Sequence, residues 1–598
     1  MCGFFSQSSQ KILIPPPGRA APPPTTFVRP LTGVRMLHLL PGLGAINCSF
    51  IGTLTQQCIG IPFAAPPIGS LRWKPPSSSS LLTTAMLDAT GSTASSKRKR
   101  CLQSNEPPSA TTDEDCLYLD IYAPRALPPA SSSGYPVVVW IHGGAYQTGS
   151  AQNGSSVAEF AALAETPIVW VGINYRMGWA GFLGGDAMRS LDPSGGTGNL
   201  GILDQRAAMA WVSRHIASLG GDPAQVTIDG CSAGAGSVAV HLVSPQSWPY
   251  FHRAAGESGV AAAWNSLPQA TAQTFFDLFA HAAGCSAATS GPAKQMQCLS
   301  AQEAKALASS AEKAWSIRVG MADYDGSNNY APVIDGVTLT ATTLALVKVG
   351  GGKMVRASVP ILLGTANDEV CTLEGKDFSF NLTKEQFLID TTAEYAGNNI
   401  SLDAIMRLYG RIQEPSPGHG QPTQDCGCGS PQLLPEVCMP CSRGENYSAW
   451  WWSAIERGSD FGFHCPSREF ATLRSSEQLQ LGLLQQGNAR VYLYSFKPLT
   501  EPFTGLWCAA HCTEMRGIVP SSLPNELEAG MLSYWISFYR TGDPNAVRAS
   551  GAVHWPAYDA SERLNLAFAL GDDGGVYVES EYRQEECTYW ETLNGSPD

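Results

Sequence analysis

The chain is poor in charged residues and has no excess of positive charge. Charged residues make up 15% of its 598 positions and hydrophobic residues 44%, a balance that argues against general disorder. Acidic residues outnumber lysine and arginine by 51 to 38, giving a net charge of -13. We therefore expect neither nucleic acid nor an anionic membrane surface as the main partner. No stretch reaches the roughly 18 apolar residues of a membrane-spanning helix, so we expect no transmembrane segment.

Cysteine, by contrast, is abundant. Seventeen cysteines are many for a cytosolic enzyme and indicate an oxidising compartment. The odd number requires at least one free or intermolecular thiol. N-glycosylation sequons begin at Asn47, Asn153, Asn381, Asn399, Asn446 and, weakened by a following proline, Asn594. We therefore expect a secreted glycoprotein.

The first 45 residues differ from the rest of the chain. Residues 1–45 are expected to be a disordered N-terminal segment, because residues 1–35 are rich in Pro, Ser and Thr. Residues 36–45 resemble a short, poor signal sequence, although an ordinary apolar segment would look similar. Residues 46–598 are expected to form one domain.

A second unusual stretch lies within that domain. Residues 414–445 are rich in Pro, Gly and Cys and are interpreted as an insertion. Its cysteines have a spacing compatible with zinc, but disulfides are favoured in a secreted protein. They are Cys426, Cys428, Cys438 and Cys441.

Short apolar runs alternate with helix-like segments along the domain. Buried strands are predicted at residues 137–141, 168–174, 226–228, 360–364 and 491–495, and a helix at 203–219. Apolar strands separated by helices are typical of an α/β protein with a parallel sheet.

Residues 230–234, Gly-Cys-Ser-Ala-Gly, fit the pattern G-x-S-x-G. The pentapeptide alone is a weak signal, but here it follows a predicted strand and precedes a helix beginning near Ala235. The two glycines allow a tight strand-turn-helix that exposes the hydroxyl of Ser232. Because a serine hydroxyl is a poor nucleophile, it needs a base, and the base needs an orienting acid.

A glycine-rich loop, residues 142–145, follows the strand at 137–141. Its backbone N–H groups can stabilise a developing oxyanion, although a plain strand-ending turn would have the same sequence. Such a loop followed about 90 residues later by a serine elbow matches the order found in α/β-hydrolases.

These motifs resemble the type-B carboxylesterase/lipase family, which includes the cholinesterases. Further matching segments are residues 60–72, 114–120, 198–206, 220–223, 364–369, 508–514, 534–545 and 555–556. The resemblance implies an α/β-hydrolase fold, with a large, mostly parallel central sheet flanked by helices. It also implies ester hydrolysis without a metal or an organic cofactor.

The resemblance assigns roles to individual residues. Ser232 becomes the nucleophile, His511 the general base and Glu369 the triad acid. Asp368 competes for the acid role, but the family pattern favours Glu369. The implied oxyanion donors are the N–H groups of Gly144, Ala145 and Ala233. The implied disulfides are Cys101–Cys116, Cys285–Cys298 and Cys465–Cys587.

The chain departs from the family beside the triad. Cys231 precedes the nucleophile where the family usually has Glu, and Cys371 follows the triad acid closely where small residues are usual. Because the three triad loops must converge, we predict that Cys371 pairs with Cys508 or Cys512.

The predicted function is hydrolysis of neutral carboxylic esters through an acyl-enzyme, with a small-molecule ester as partner. The loop closed by Cys101–Cys116 lacks the choline-binding Trp of cholinesterases, although Trp179 or Trp507 could replace it. A lipase acting on acylglycerols is one alternative. A non-catalytic adhesion or binding protein is another, and the complete triad disfavours it. The natural ester and the oligomeric state stay open.

Overall fold

A computed structural model describes the protein over most of its length. The described residues are 35–40, 44–77, 87–91, 99–104, 108–151, 153–286, 291–319, 330–349, 356, 358–371, 382–395, 400–410, 448–481, 490–497, 508–548, 551–569 and 575–593. The insertion predicted at residues 414–445 lies outside this part of the chain.

A 13-stranded sheet runs through the centre of the described structure. All strands, in chain order, are β1 (Arg35–Leu40), β2 (Gly44–Ile51), β3 (Thr55–Pro62), β4 (Leu87–Asp88), β5 (Arg100–Cys101), β6 (Thr112–Asp113), β7 (Tyr118–Pro124), β8 (Tyr135–Ile141), β9 (Val169–Ile173), β10 (Gly221–Gly230), β11 (Arg253–Glu257), β12 (Leu267–Pro268), β13 (Val333–Ile334), β14 (Ile361–Ala366), β15 (Val491–Phe496), β16 (Leu564–Ala569) and β17 (Gly575–Ser580). The pairs β5–β6 and β12–β13 form separate small sheets.

The strand order of the large sheet is β1-β2-β3-β7-β9-β8-β10-β11-β14-β15-β16-β17, with β4 beside β2. The strands from β9 to β16 in this order run parallel, and antiparallel strands extend both edges. Their carboxyl ends therefore lie along one rim, where open α/β sheets place their ligand sites.

Helices flank this sheet. They are α1 (Ser155–Leu163), α2 (Gly178–Gly181), α3 (Leu200–His215), α4 (Ala233–Leu242), α5 (Gln269–Ala282), α6 (Gly291–Ser300), α7 (Ala304–Val319), α8 (Thr343–Val349), α9 (Lys384–Glu394), α10 (Leu402–Tyr409), α11 (Ala449–Ser459), α12 (Cys465–Gln480), α13 (Met515–Ile518), α14 (Glu526–Thr541) and α15 (Gln584–Leu593). A π-helical turn, Asp460–His464, joins α11 to α12.

The strands are apolar on both sides because both faces of the sheet are covered. Along β8, Val137 and Val139 belong to one hydrophobic core, and Val138 and Trp140 belong to the core on the opposite face. All seven residues of β8 are buried. Continuous burial of this kind explains why the parallel strands could be predicted from short apolar runs.

The expected large, mostly parallel α/β sheet with flanking helices is confirmed. The expectation for residues 1–45 needs a correction, because Arg35–Leu40 form β1 and pair antiparallel with β2. This segment supplies the outermost described strand of the sheet, so residues 35–40 are an ordered part of the fold. Residues 1–34 lie outside the described structure.

Four disulfides of the described residues lie outside the loops that carry Ser232, His511 and Glu369. Cys101–Cys116, Cys285–Cys298 and Cys465–Cys587, the pairs implied by the resemblance, have Cα atoms 4.9, 5.7 and 4.9 Å apart. Cys48–Cys58, which was not predicted, joins β2 to β3. No helix in the described ranges is both long and apolar enough to cross a membrane.

Candidate active site

Ser232 lies in a tight turn between β10 and α4. Its backbone adopts φ 61° and ψ -126°, a strained conformation for a residue other than glycine, costing about 1–3 kcal/mol. The N–H of Ser232 donates to the carbonyl of Glu257 on the neighbouring strand, 2.9 Å away. A Cβ atom on Gly230 or Gly234 would overlap the carbonyl oxygen of Ile141. The two glycines of the motif therefore let the elbow pack directly against the end of β8.

The structure brings Ser232, His511 and Glu369 into one hydrogen-bonded line. Ser232 Oγ is 2.8 Å from His511 Nε2, and His511 Nδ1 is 2.6 Å from Glu369 Oε2. These residues are separated by up to 279 positions in the chain. The carboxylate of Glu369 is fully buried, whereas the imidazole is about one-tenth exposed. The geometry is suited to proton transfer from the hydroxyl to the imidazole.

The adjacent acids Asp368 and Glu369 have different partners. Glu369 Oε1 accepts a hydrogen bond from the N–H of Ala366 at 2.8 Å, leaving Oε2 for His511. Asp368 Oδ2 instead accepts from the N–H of Ala509, and the N–H of Asp368 donates to the Ala509 carbonyl, both at 2.9 Å. Asp368 therefore joins the two loops, and Glu369 is the acid that contacts the imidazole.

The predicted oxyanion donors lie on two segments beside Ser232. A Cβ atom on Gly143 would come within 2.6 Å of the Cys231 carbonyl oxygen and 2.9 Å of Ser232 Cβ, so the glycine loop packs directly on the elbow. Gly144 and Ala145 have positive φ values of 108° and 53°. Ala233 is the first residue of α4, where N–H groups have no partner within the helix.

Aromatic rings form one wall of the site. The ring of Phe463 lies 4.9 Å from that of His511 and 5.6 Å from that of Trp264. Phe463 belongs to the π-helical turn, an irregularity often found at functional sites. The sequence pattern identified neither ring, because nothing in a one-dimensional pattern predicts a π-helical turn.

Two disulfides connect the three loops that carry Ser232, His511 and Glu369. Cys371 pairs with Cys508, one of the two predicted pairings, with Cα atoms 6.7 Å apart. Cys231 pairs with Cys512 across 281 residues, with Cα atoms 6.3 Å apart. The second pair was not predicted, although a cysteine next to the nucleophile and another next to the base were visible in the sequence.

Buried acids lie beneath the nucleophile turn. Glu257 hydrogen-bonds to Asp229, and both side chains are fully buried. Glu257 Oε1 also accepts from the indole N–H of Trp535 at 2.9 Å, and Tyr539 donates to Asp229. Burial raises the pKa of Asp229 to about 6 and that of Glu257 well above its ordinary value. The two carboxyl groups therefore share a proton at neutral pH.

Replacing one partner of this pair should change the pH dependence of stability. A carboxyl with a raised folded-state pKa stabilises the protein fully below its unfolded pKa of about 4, and this contribution is lost as the pH rises through the folded pKa. In Glu257→Gln, an amide N–H replaces the shared proton. We expect the free energy of unfolding to fall less steeply, as the pH rises above about 4, than in the wild type. Urea unfolding measures both slopes, and equal slopes would contradict a shared proton.

A third buried acid, Glu514, lies three residues after His511 in the chain. Glu514 Oε1 accepts hydrogen bonds from Ser258 Oγ at 2.7 Å and from the Tyr494 hydroxyl at 3.0 Å. Burial, together with the charge of Glu369, raises the pKa of Glu514 to about 7. A large share of Glu514 is therefore neutral near pH 7. Within the described ranges, no group of three or more His, Cys, Asp or Glu side chains could hold a metal ion.

A serine on a strand-turn-helix elbow, facing a histidine and an acid at the rim of a mostly parallel sheet, defines the class of α/β-hydrolases. The sequence profile described as the carboxylesterase family matches residues 43–590, and the chain belongs to this family. It is a carboxylic ester hydrolase.

Two curated relatives and one solved structure give the extent of the similarity. The chain is 27% identical to a cholinesterase of Mus musculus, over 91% of this chain and 84% of the relative. It is 26% identical to acetylcholinesterase 1 of Caenorhabditis briggsae, over 94% and 88%. A carboxylesterase of Geobacillus stearothermophilus has the same fold, with a TM-score of 0.68 and 26% identity over 93% of this chain and 99% of that chain.

Proposed function

We propose that this protein is a serine carboxylesterase that hydrolyses neutral carboxylic esters through an acyl-enzyme. The observation that carries the proposal is the continuous line from Ser232 Oγ through the imidazole of His511 to Glu369. Ser232 acts as nucleophile, His511 as general base and Glu369 as the acid that orients the imidazole. The N–H groups of Gly144, Ala145 and Ala233 hold the oxyanion.

In the first half-reaction, Ser232 Oγ attacks the ester carbonyl while His511 Nε2 takes its proton. The negative charge that develops on the carbonyl oxygen is stabilised by the backbone donors, each worth about 3 kcal/mol. The imidazolium then protonates the departing alcohol, leaving an ester on Ser232. Water, deprotonated by the same imidazole, hydrolyses this ester and regenerates the hydroxyl. Glu369 holds the imidazole tautomer throughout.

The preference for neutral substrates follows from the charge around the nucleophile. The side chain before Ser232 is half of a disulfide, so it carries no charge. Glu514, the nearby buried acid, has its pKa raised to about 7 and attracts a cation weakly. Trp179 does not replace the missing choline-binding Trp, because it is buried between the rings of Trp73 and Phe279. Trp507, the other candidate, lies outside the described residues.

The preference can be tested with a pair of substrates that differ only in charge. Butyrylcholine and 3,3-dimethylbutyl butyrate have nearly the same shape, but a carbon replaces the quaternary nitrogen in the second. A cation site would favour butyrylcholine by about 0.5–2 kcal/mol, or about 2- to 30-fold. We expect kcat/KM for the neutral ester to equal or exceed that for butyrylcholine. A clear preference for butyrylcholine would show that another cation site exists.

Esterase and lipase activities can be separated by chain length and by an interface. A series of p-nitrophenyl esters from acetate to palmitate, each measured with and without an oil–water interface, distinguishes them. The activity of a carboxylesterase is highest with short acyl chains and does not rise when an interface is present. The activity of a lipase rises with acyl-chain length and with the interface. Absence of turnover for every ester would favour the non-catalytic binding protein.

We propose that the protein is secreted and glycosylated. The disulfides of the described structure support an oxidising compartment. Asn153 is exposed just before α1 and is available to a glycosyltransferase, whereas Asn47 is buried within β2 and is not. The sequons at Asn381, Asn399, Asn446 and Asn594 lie outside the described residues. Peptide mapping after glycosidase treatment should find a glycan on Asn153 and none on Asn47.

A further inference from the structure

The disulfide Cys231–Cys512 occupies a special position in the active site. Cys231 directly precedes Ser232, and Cys512 directly follows His511, so the bridge joins the two residues that must exchange a proton. It closes a chain segment of 281 residues. A covalent bond one residue away from each reacting side chain restricts the distance between Ser232 Oγ and His511 Nε2.

The backbone at Cys512 has an unfavourable conformation next to His511. Cys512 has φ +57°, the left-handed conformation that costs a non-glycine residue about 1–2 kcal/mol. Besides the hydrogen bond from the N–H of Met515 to the Cys512 carbonyl at 3.1 Å, we expect the bridge to help hold Cys512 in this conformation, because its Sγ is bonded to the nucleophile turn. Without the bridge, the backbone after His511 can relax to an ordinary conformation, and the imidazole next to it would move.

Backbone and side-chain hydrogen bonds, in addition to a disulfide, join the loop that carries His511 to the loop that carries Glu369. Asp368 and Ala509 exchange two hydrogen bonds of 2.9 Å, and the N–H of His511 donates to the carbonyl of Glu369 at 3.2 Å. These hydrogen bonds do not involve either cysteine side chain, so we expect them to persist when Cys371–Cys508 is cleaved. On the nucleophile side, Glu514 accepts a hydrogen bond from Ser258, which follows β11 and is not part of the turn that carries Ser232. The spacing between nucleophile and base therefore depends on Cys231–Cys512 more than the spacing between base and acid depends on Cys371–Cys508.

The two bridges also differ in access. Cys512 is partly exposed, although its partner Cys231 is 3% exposed, whereas both cysteines of the other bridge are buried, Cys371 at 4% and Cys508 at 2% exposed. A small dithiol reductant should therefore reach Cys231–Cys512 first. One reductant thiolate attacks a bridge sulfur to form a mixed disulfide, and its second thiolate closes a ring. The Cys231–Cys512 bond breaks, both cysteines gain a proton and together two electrons, and the dithiol is oxidised to a cyclic disulfide.

We infer that Cys231–Cys512 is a positioning disulfide that holds His511 against Ser232 and makes turnover sensitive to reductants. This inference rests on the proposed serine esterase function. Cleavage leaves the substrate wall of Phe463 and Trp264 in place but loosens the nucleophile–base pair. Because misplacement of a catalytic group by about 1 Å can cost 100-fold, we expect kcat to fall about 10- to 100-fold with little change in KM.

The test compares three double variants with the wild type, using p-nitrophenyl acetate. Cys231→Ala/Cys512→Ala removes the bridge and keeps a Cβ at φ +57°. Cys231→Ala/Cys512→Gly removes the bridge and the backbone strain, so it should retain more activity than the alanine variant. Cys285→Ala/Cys298→Ala, which removes a bridge with an exposed cysteine outside the triad loops, should match the wild type.

All rates are divided by the number of active sites, counted by stoichiometric organophosphate labelling. This correction separates positioning from folding, because a merely destabilised variant has fewer sites but the same kcat per site. Unchanged kcat per site in the alanine variant would overturn the inference. Treating the folded wild type with dithiothreitol should lower kcat, and reoxidation should restore it. The Cys285→Ala/Cys298→Ala variant should keep this sensitivity, whereas the two variants without the Cys231–Cys512 bridge should lose it.

The controls distinguish this inference from the proposed function. If the oxidised wild type hydrolyses no ester, the proposed function fails. If the wild type is active, Ser232→Ala is inactive, and Cys231→Ala/Cys512→Ala keeps the wild-type kcat per site, the esterase stands and the positioning role of the bridge is wrong.

Discussion

Ser232→Ala should lower kcat for p-nitrophenyl acetate by about 10⁴-fold or more, because no other group can form the acyl-enzyme at this position. The hydroxyl that is removed lies 2.8 Å from His511 Nε2. Alanine keeps the Cβ atom and adds no bulk, so the elbow and its hydrogen bond to the Glu257 carbonyl should persist. An unfolding temperature close to that of the wild type would establish that the fold is intact.

An organophosphate provides an independent readout of the same assignment. The reagent should label Ser232 in the wild type and leave the alanine variant unlabelled. Ser258 serves as a comparison, because it follows the next strand of the sheet but is fully buried and donates to Glu514. Label on Ser258, or esterase activity that survives in Ser232→Ala, would contradict the proposed nucleophile.

Much of the fold could be predicted because the central strands are buried on both faces. The segments that became β8, β9, β14 and β15 are short apolar runs, and this pattern needs no tertiary information. The edge strand β1 was harder to predict. A single apolar run with Arg29 and Arg35 before it is compatible with a signal sequence, and only its antiparallel pairing with β2 identifies it as a strand.

The pairing of the active-site cysteines shows where sequence reasoning stops. Cys508 and Cys512 lie four positions apart on one loop, so convergence of the triad loops leaves both available to Cys371. The turn at His511 decides between them. Cys512, which has a left-handed backbone conformation, pairs with Cys231 of the nucleophile turn, while Cys508 pairs with Cys371 of the acid loop. Tertiary contacts determine the conformation of such a turn, and no pattern in the sequence predicts it.

The second decisive experiment replaces the adjacent acids Glu369 and Asp368 one at a time and compares kcat. In Glu369→Gln, the amide can present an N–H to His511 Nδ1 and so stabilise the wrong tautomer, in which Nε2 carries the proton and cannot accept one from Ser232. We expect kcat to fall by about 10³- to 10⁴-fold, as for an asparagine in place of a triad aspartate. KM should change much less, because Glu369 is fully buried and does not contact substrate.

Asp368→Asn is the matched control, since it also neutralises a buried acid at the same turn. Its side-chain oxygen can still accept from the N–H of Ala509. The new side-chain NH₂ group, however, would face the NH₂ group of Asn367, which in the wild type donates to Asp368 Oδ1 at 2.7 Å. Loss of that hydrogen bond should cost about 1 kcal/mol of stability. Because Asp368 joins the acid and base loops without contacting the imidazole, kcat should stay within about tenfold of the wild type. A larger loss in Asp368→Asn than in Glu369→Gln would reverse the assignment of the triad acid.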